Sequence, residues 1–303
     1  MYWQKLGLLY CPPSDPLHPK LATHAANPLA VHLHDDIYRV LYSGRDEHNR
    51  SSVGAVDVNI VTRQIVVTHD APFFEHGPAG SFYADGVSIG CTYRFNGLEY
   101  ILFMGWQSPV DTHWRGDIGR LRVDQDSNLS LDPAYPFFAS DSEDPISLSY
   151  PWVFQQDDGH LVMIYGSTTT WDAGNGEMIH ILKCASSSDG VSWSKQGVVV
   201  KPVIGFAQAF SRPTVLRRSN GYHMWFSYRG GTGTSYRIGY AYSADGSCWT
   251  FENANSGIEV SAEGWDSEMI EYPFVFEHKG SAYMLYNGNG FGKTGFGLAT
   301  LIC

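Results

Sequence analysis

An all-β fold is the architecture this sequence predicts, on three observations. Thirty-two Gly and fifteen Pro punctuate a chain in which 14% of residues are aromatic, the make-up of many short strands joined by tight turns. Apolar runs are short and show no helical periodicity. One strand–turn–strand unit recurs five times, and a fixed period outweighs any local signal.

The first copy has Asn27-Pro28-Leu29 and then a strand over 38–46. The second has Asp85-Gly86-Val87 and a strand over 100–106, and the third Tyr150-Pro151-Trp152 and a strand over 161–166. The fourth has Arg212-Pro213-Thr214 with 222–229, and the fifth Tyr272-Pro273-Phe274 with 283–289. Measured at 28, 86, 151, 213 and 273, the steps are 58, 65, 62 and 60 residues. A third strand follows each pair, at 53–56, 118–121, 181–185, 238–241 and 296–299. Two of these run into Asp189-Gly190 and Asp245-Gly246, turn steps in which Gly accepts positive φ at little cost.

About sixty residues accommodate four strands and their connections, which is one propeller blade. The expected fold is therefore a five-bladed β-propeller in a single domain spanning 1–303. The fifth copy supplies only three strands, so the N-terminal stretch 3–9 is expected to add the fourth and close the ring in the last blade. A large β-sandwich, the rival architecture, accommodates five aligned copies badly.

Charged residues at 17% against 43% hydrophobic exclude a disordered chain or a coiled coil. Twenty basic against thirty-one acidic residues, a net charge of −11, argue against a nucleic-acid or anionic-membrane partner. No apolar run reaches the length of a membrane span and no signal peptide is visible, so a cytoplasmic location is expected. Five widely spaced cysteines without a CxxC support neither a zinc site nor a disulfide framework, and neither a metal nor a cofactor is expected.

In such a ring, residues just before each Pro or Gly (Asn27, Asp85, Tyr150, Arg212, Tyr272) begin the innermost strands and meet at one funnel. The ends of the second strands (Arg45, Asp46, Trp106, Thr168, Arg229, Asn287, Asn289) are expected to form a second ring around it, with Arg45 and Arg229 at the same place in the repeat.

Five repeats, the turns at 188–193 and 243–249, and the stretch Trp265-Asp266-Ser267-Glu268-Met269-Ile270-Glu271-Tyr272-Pro273 together resemble the five-bladed glycosidase superfamily of arabinanases, β-xylosidases, invertases and levansucrases. At the level of motifs the chain is most similar to the glycosidase-like proteins found beside polysaccharide and natural-product biosynthesis genes. The resemblance implies a sugar or oligosaccharide in the funnel and carboxylates as acid, base or nucleophile. Glycoside chemistry needs a pair of carboxyl groups, about 5–5.5 Å apart for retention or 6.5–9.5 Å for inversion. The chain departs from the pattern at His24-Ala25-Ala26-Asn27-Pro28, which holds no carboxylate where the resemblance implies one.

Asp85 is the leading inward carboxylate, or else a turn-forming residue before Gly86. Glu271 is either the acid or an outward strand residue; Asp266 and Glu268, on a loop over the funnel, are catalytic or capping. Arg45, Arg212 and Arg229 suit a carboxylate, phosphate or sulfate, or else pair with Asp46, Asp85, Asp266 or Glu271. Trp106, Tyr150 and Tyr272 offer faces on which sugars stack, or belong to the core. His24 is a proton shuttle or a hydrogen-bonded core residue. Asn27, Asn287 and Asn289 bind hydroxyls or serve turns.

The expected function is glycosidase-like: cleavage or transfer of a glycosidic linkage of an anionic sugar or sugar-derived metabolite in a biosynthetic pathway. Two alternatives stay open, a non-catalytic sugar-binding propeller and one recruited to cyclisation or elimination chemistry.

Overall fold

The computed structural model describes residues 1–302. Strand β1 (Tyr2–Tyr10) comes first. The first unit then holds β2 (Thr23–His34), β3 (Ile37–Arg45), β4 (Ser51–Asn59) and β5 (Gln64–Thr68). The second has β6 (Gly86–Phe95), β7 (Leu98–Gln107), β8 (Arg115–Val123) and β9 (Leu129–Leu131). The third has β10 (Ser147–Gln155), β11 (Leu161–Thr170), β12 (Ile179–Ser187) and β13 (Ser194–Val200). The fourth has β14 (Ala209–Arg218), β15 (Gly221–Arg229), β16 (Arg237–Ser243) and β17 (Thr250–Phe251). The last has β18 (Glu271–His278), β19 (Ser281–Asn287) and β20 (Phe296–Ile302), with β1 paired antiparallel on β20.

Strands within a unit pair antiparallel in chain order. The first strands pack on one another: β6 on β2 and β10, β10 on β14, β14 on β18, and β18 on β2. Apolar clusters lie between neighbouring units. Leu102 and Ile118 of the second meet Leu148 and Met163 of the third, and Trp225 and Tyr240 of the fourth meet Met284 and Tyr286 of the last. Strand alternation puts one set of apolar side chains on each sheet face, so each unit is covered on both sides.

Turn chemistry explains the repeated third-strand exits. Ser187 Oγ accepts the Gly190 N–H at 2.8 Å, and Ser243 Oγ accepts that of Gly246 at 2.9 Å. Asp189 and Asp245 each accept two further turn N–H groups, while Gly190 and Gly246 take φ of 65° and 78°.

Every first strand carries a bulge. Register jumps between Ala26 and Leu29, Ser149 and Trp152, Ser211 and Thr214, and Glu271 and Phe274. Each jump contains an X-Pro pair whose first residue (Asn27, Tyr150, Arg212, Tyr272) has φ between 33° and 55°. Proline has no N–H for the ladder, and the left-handed residue before it costs about 1–3 kcal/mol that packing must offset.

In the second unit the jump falls between Ile89 and Cys91, at Gly90. This corrects the repeat alignment: Asp85 and Gly86 precede the strand, and Ile89-Gly90 is the true counterpart of Asn27-Pro28. Measured at 28, 90, 151, 213 and 273 the steps become 62, 61, 62 and 60 residues. Glycine is required at 90, because a Cβ there would lie 2.8 Å from the carbonyl oxygens of Leu102 and Pro151.

Arg212 is the side chain on which the inner strands converge. It is 1% exposed and donates from Nη1 to the Ile89 carbonyl and from Nη2 to that of Pro28 at 2.7 Å. One guanidinium thus joins the fourth unit to the second and the first. Burial pulls its pKa down to about 10, so it stays charged at neutral pH. Arg212→Met is expected to leave both carbonyls without donors and lower stability by about 2–4 kcal/mol, read from the urea midpoint at pH 7.

Candidate functional site

The bulges bring side chains from all five units to one cavity of about 370 Å³. Arg45 and Asn49 come from the first unit, Ser88, Trp106 and Trp114 from the second, and Ser149, Tyr150 and His180 from the third. Ser211, Arg229 and Tyr236 come from the fourth, and Tyr272 and Phe291 from the last. Five sequence-predicted residues line it: Arg45, Trp106, Tyr150, Arg229 and Tyr272.

Pairing register defines the inner ring. Ala26, Ser88, Ser149, Ser211 and Glu271 are equivalent, facing Ser43, Met104, Gly166, Ser227 and Asn287 on the second strands. Four members are small and leave space; the fifth is a carboxylic acid. Two residues further along the chain stand Arg45, Trp106, Thr168, Arg229 and Asn289, the residues expected to form a second ring, of which Arg45, Trp106 and Arg229 line the cavity.

Glu271 is fully buried, and neither carboxyl oxygen has a hydrogen-bond partner. Burial raises its pKa well above the ordinary 4.5; the charges of Arg229 and Arg45 pull the other way without prevailing. Burial thus favours the protonated carboxyl more than it is favoured in an exposed glutamate. The next residue, Tyr272, has its ring centroid 5.4 Å from that of Tyr150.

The two lining arginines differ. Arg229 is neutralised by Glu177, whose oxygens lie 2.9 Å from Nε and from Nη2, and its guanidinium packs 4.8 Å from the Tyr236 ring centroid. Arg45 donates to Asn49 Oδ1 at 2.7 Å and has no acidic partner among the described residues. The adjacent Asp46 instead holds Arg50 Nε at 2.9 Å and the N–H groups of His48 and Arg50. Asp46 is therefore a loop-forming residue, not a ligand for the cavity.

Several other expectations need correcting. Arg212 is spent on backbone carbonyls and faces no ligand. Asp85 accepts the Ser108 N–H at 2.6 Å and stands outside the inner ring. Asp266 is buried between Lys5 Nζ at 2.7 Å and the Tyr286 hydroxyl at 3.0 Å, a structural ion pair. Glu268 is exposed; its backbone N–H and that of Met269 are held by Asn289 Oδ1, which makes Asn289 a loop brace. Asn287 is fully buried, accepts the Asn27 N–H and donates to the Ala25 and Gly295 carbonyls. Asn27 is buried with it and is not among the residues that line this cavity. His24 is half-buried, burial with the charges of Arg45 and Lys293 lowers its pKa to about 4, and it is not among the residues that line the cavity.

Sequence reasoning missed His180, Ser149, Trp114, Tyr236 and Glu177. Ser149 Oγ lies 2.6 Å from His180 Nε2, and His180 Nδ1 lies 2.7 Å from Thr168 Oγ1. Burial, then the Arg229 charge, lowers the His180 pKa to about 3, so the imidazole is neutral. The available signal was the pairing of Thr168 with His180 across two strands, which single-strand patterns do not expose.

No family model matches the chain. It is 41% identical over 303 residues to the uncharacterized proteins MT1551 and Rv1502 of Mycobacterium tuberculosis, covering 99% of its own length and 99% of theirs. The chain belongs to the MT1551 family. This MT1551-family chain is also 29% identical over 142 residues to the sucrose-6-phosphate hydrolase of Escherichia coli, a match covering 46% of the chain and 28% of that enzyme. Among solved structures it resembles a glycosyl hydrolase from Bacteroides ovatus, with a TM-score of 0.74, 12% identity, and 98% and 93% of the two chains covered. It also resembles the endo-arabinase of Bacteroides thetaiotaomicron, with a TM-score of 0.66, 12% identity, and 94% and 96% covered. The MT1551-family fold is thus a nearly all-β, glycoside-hydrolase-type propeller.

The raised pKa of Glu271 has a measurable consequence. The folded carboxyl keeps its proton above pH 4.5 while the unfolded chain releases it, so the folded state binds more protons and stability falls as pH rises. As pH rises above 4.5, wild type is expected to lose stability relative to Glu271→Gln by up to about 1.4 kcal/mol per pH unit, measured by paired urea titrations.

Proposed function

We propose that this chain is a five-bladed β-propeller, closed in its last blade by the N-terminal strand and forming one domain, that acts as a glycosidase-like enzyme on an anionic sugar or glycoside. The observation that carries the reading is Glu271, fully buried in the inner ring with its pKa raised and within electrostatic reach of Arg45 and Arg229, two arginines that line the cavity and of which Arg45 has no acidic partner among the described residues. Glu271 is the proton donor: its carboxyl proton passes to the departing glycosidic oxygen as the bond to the anomeric carbon breaks. Arg45 takes the anionic group of the substrate through its guanidinium fork. Tyr150, Tyr272 and Trp106 supply flat apolar faces for the sugar ring.

Phosphate is the favoured anion. The partly matching relative is named for hydrolysis of a sugar phosphate, and Arg45 has planar donors for phosphate oxygens. One observation favours a second reading, a non-catalytic sugar-binding propeller: Ala26 occupies the first-unit position of the ring that holds Glu271.

The deciding experiment is a screen of aryl glycosides with and without a phosphate or carboxylate on the sugar, followed by product analysis. Turnover of an anionic member is expected, with Arg45→Met raising KM about 10- to 100-fold and leaving neutral analogues little changed. Glu271→Gln is expected to abolish cleavage of alkyl leaving groups and to spare dinitrophenyl ones, which need no acid. Binding of anionic sugars without turnover of any glycoside supports the second reading instead.

A further inference from the structure

The ring that carries Glu271 offers no second carboxylate to activate an attacking hydroxyl. Its other members are Ala26, Ser88, Ser149 and Ser211. Glu177 is held by Arg229, and Asp85 stands outside the ring. One ring member is built differently from the rest. Ser149 Oγ rests 2.6 Å from His180 Nε2, the far ring nitrogen rests 2.7 Å from Thr168 Oγ1, and both Ser149 and His180 line the cavity. Ser211, at the same register, has a buried hydroxyl with no partner.

The third unit is shaped around this pair. Its second-strand residue opposite Ser149 is Gly166, and a Cβ there would collide with both Ser149 Oγ and His180 Nε2. The equivalent positions in the other units are Ser43, Met104, Ser227 and Asn287, all with side chains. Trp114 covers the imidazole, with ring centroids 6.2 Å apart. Tyr150 and Tyr272, the residues following Ser149 and Glu271, have centroids 5.4 Å apart and both line the cavity.

We propose, resting on the glycosidase reading above, that Ser149 activated by His180 is the base that complements Glu271 as acid. The acceptor oxygen bonds to the anomeric carbon as the leaving oxygen departs with the Glu271 proton. The acceptor's own proton passes to Ser149 Oγ while the serine proton moves to His180 Nε2. Thr168 Oγ1 accepts the Nδ1 hydrogen and fixes that tautomer. The step ends with an imidazolium and a carboxylate, and the proton returns from His180 to Glu271 through water. The summed charge of Glu271 and His180 does not change, and each buried charge forms together with its opposite.

The test uses the full chain and diisopropyl fluorophosphate, which phosphorylates activated serine hydroxyls with loss of fluoride. Intact-mass and peptide analysis are expected to find one adduct, on Ser149 and not Ser211. The adduct is expected to be absent in Ser149→Ala and to form on the order of 10²-fold more slowly in His180→Asn. Thr168→Val keeps side-chain shape and serves if His180→Asn does not fold; it is expected to slow labelling roughly 10-fold. Azide is expected to restore turnover of an aryl glycoside by Ser149→Ala and to yield the glycosyl azide. A folded wild type that takes no label on Ser149, or labelling at unchanged rate in His180→Asn and Thr168→Val, overturns the proposal. Ser149→Ala that still turns over its glycoside at the wild-type rate overturns it too while the glycosidase reading stands. Labelling of Ser149 without turnover of any glycoside removes that reading and leaves the activated hydroxyl.

Discussion

A single buried cation organises the centre of this molecule. Arg212 sits in a left-handed pre-proline position, where φ of 50° turns its side chain across the inner strands toward the carbonyls of Pro28 and Ile89. Those carbonyls lie at the bulges of two other units, where the ladder is already broken and lone pairs are left over. A guanidinium supplies planar donors for several acceptors and cannot lose its charge at neutral pH, which a lysine in the same desolvated place does readily. The bulges therefore create the vacancy that Arg212 fills, and Arg212 holds the bulges at a common level. The residues around the cavity inherit their positions from that level.

The electrostatic character of the cavity follows from which charges are already satisfied. Glu177 is committed to Arg229, Asp46 to Arg50 and Asp266 to Lys5. What remains is a carboxyl whose pKa burial has raised, a neutral imidazole and the Arg45 guanidinium. A protein of net charge −11 thus presents a locally cationic pocket. On the proposed reading, long-range repulsion and short-range attraction together favour a compact anion that reaches Arg45 over an extended polyanion that must lie along the surface.

Much of the architecture was legible because the repeat is marked by covalent chemistry. Four of five bulges carry proline, and proline's missing N–H makes them visible in a single sequence. The second unit was misread because Asp85-Gly86 imitates the mark, whereas the real bulge uses Gly90 to admit the Leu102 and Pro151 carbonyls, a crowding visible only once the neighbouring unit is packed. The arginines and aromatics of the second ring were legible because their place in the repeat fixes their place around the axis. Carboxylates were not: Asp85, Asp266 and Glu268 have the right chemistry on loops, and only their tertiary partners show that the first two are occupied and the third is turned to solvent. Ser149 and His180 come from strands separated by β11, so no local pattern joins them.

The last sheet joins the earliest and latest strands of the chain, since β1 pairs with β20 from Tyr2–Ile302 to Tyr10–Phe296. A nascent chain emerging from the ribosome can assemble its second, third and fourth sheets as they appear. The segment 2–10 must meanwhile wait with its pairing edge open for nearly three hundred residues. Glu271 and Tyr272 begin the strand at the inner side of that same sheet. A chain that has not yet reached β18–β20 therefore lacks both the partner of β1 and the two side chains, Glu271 and Tyr272, that the last sheet brings to the inner strands.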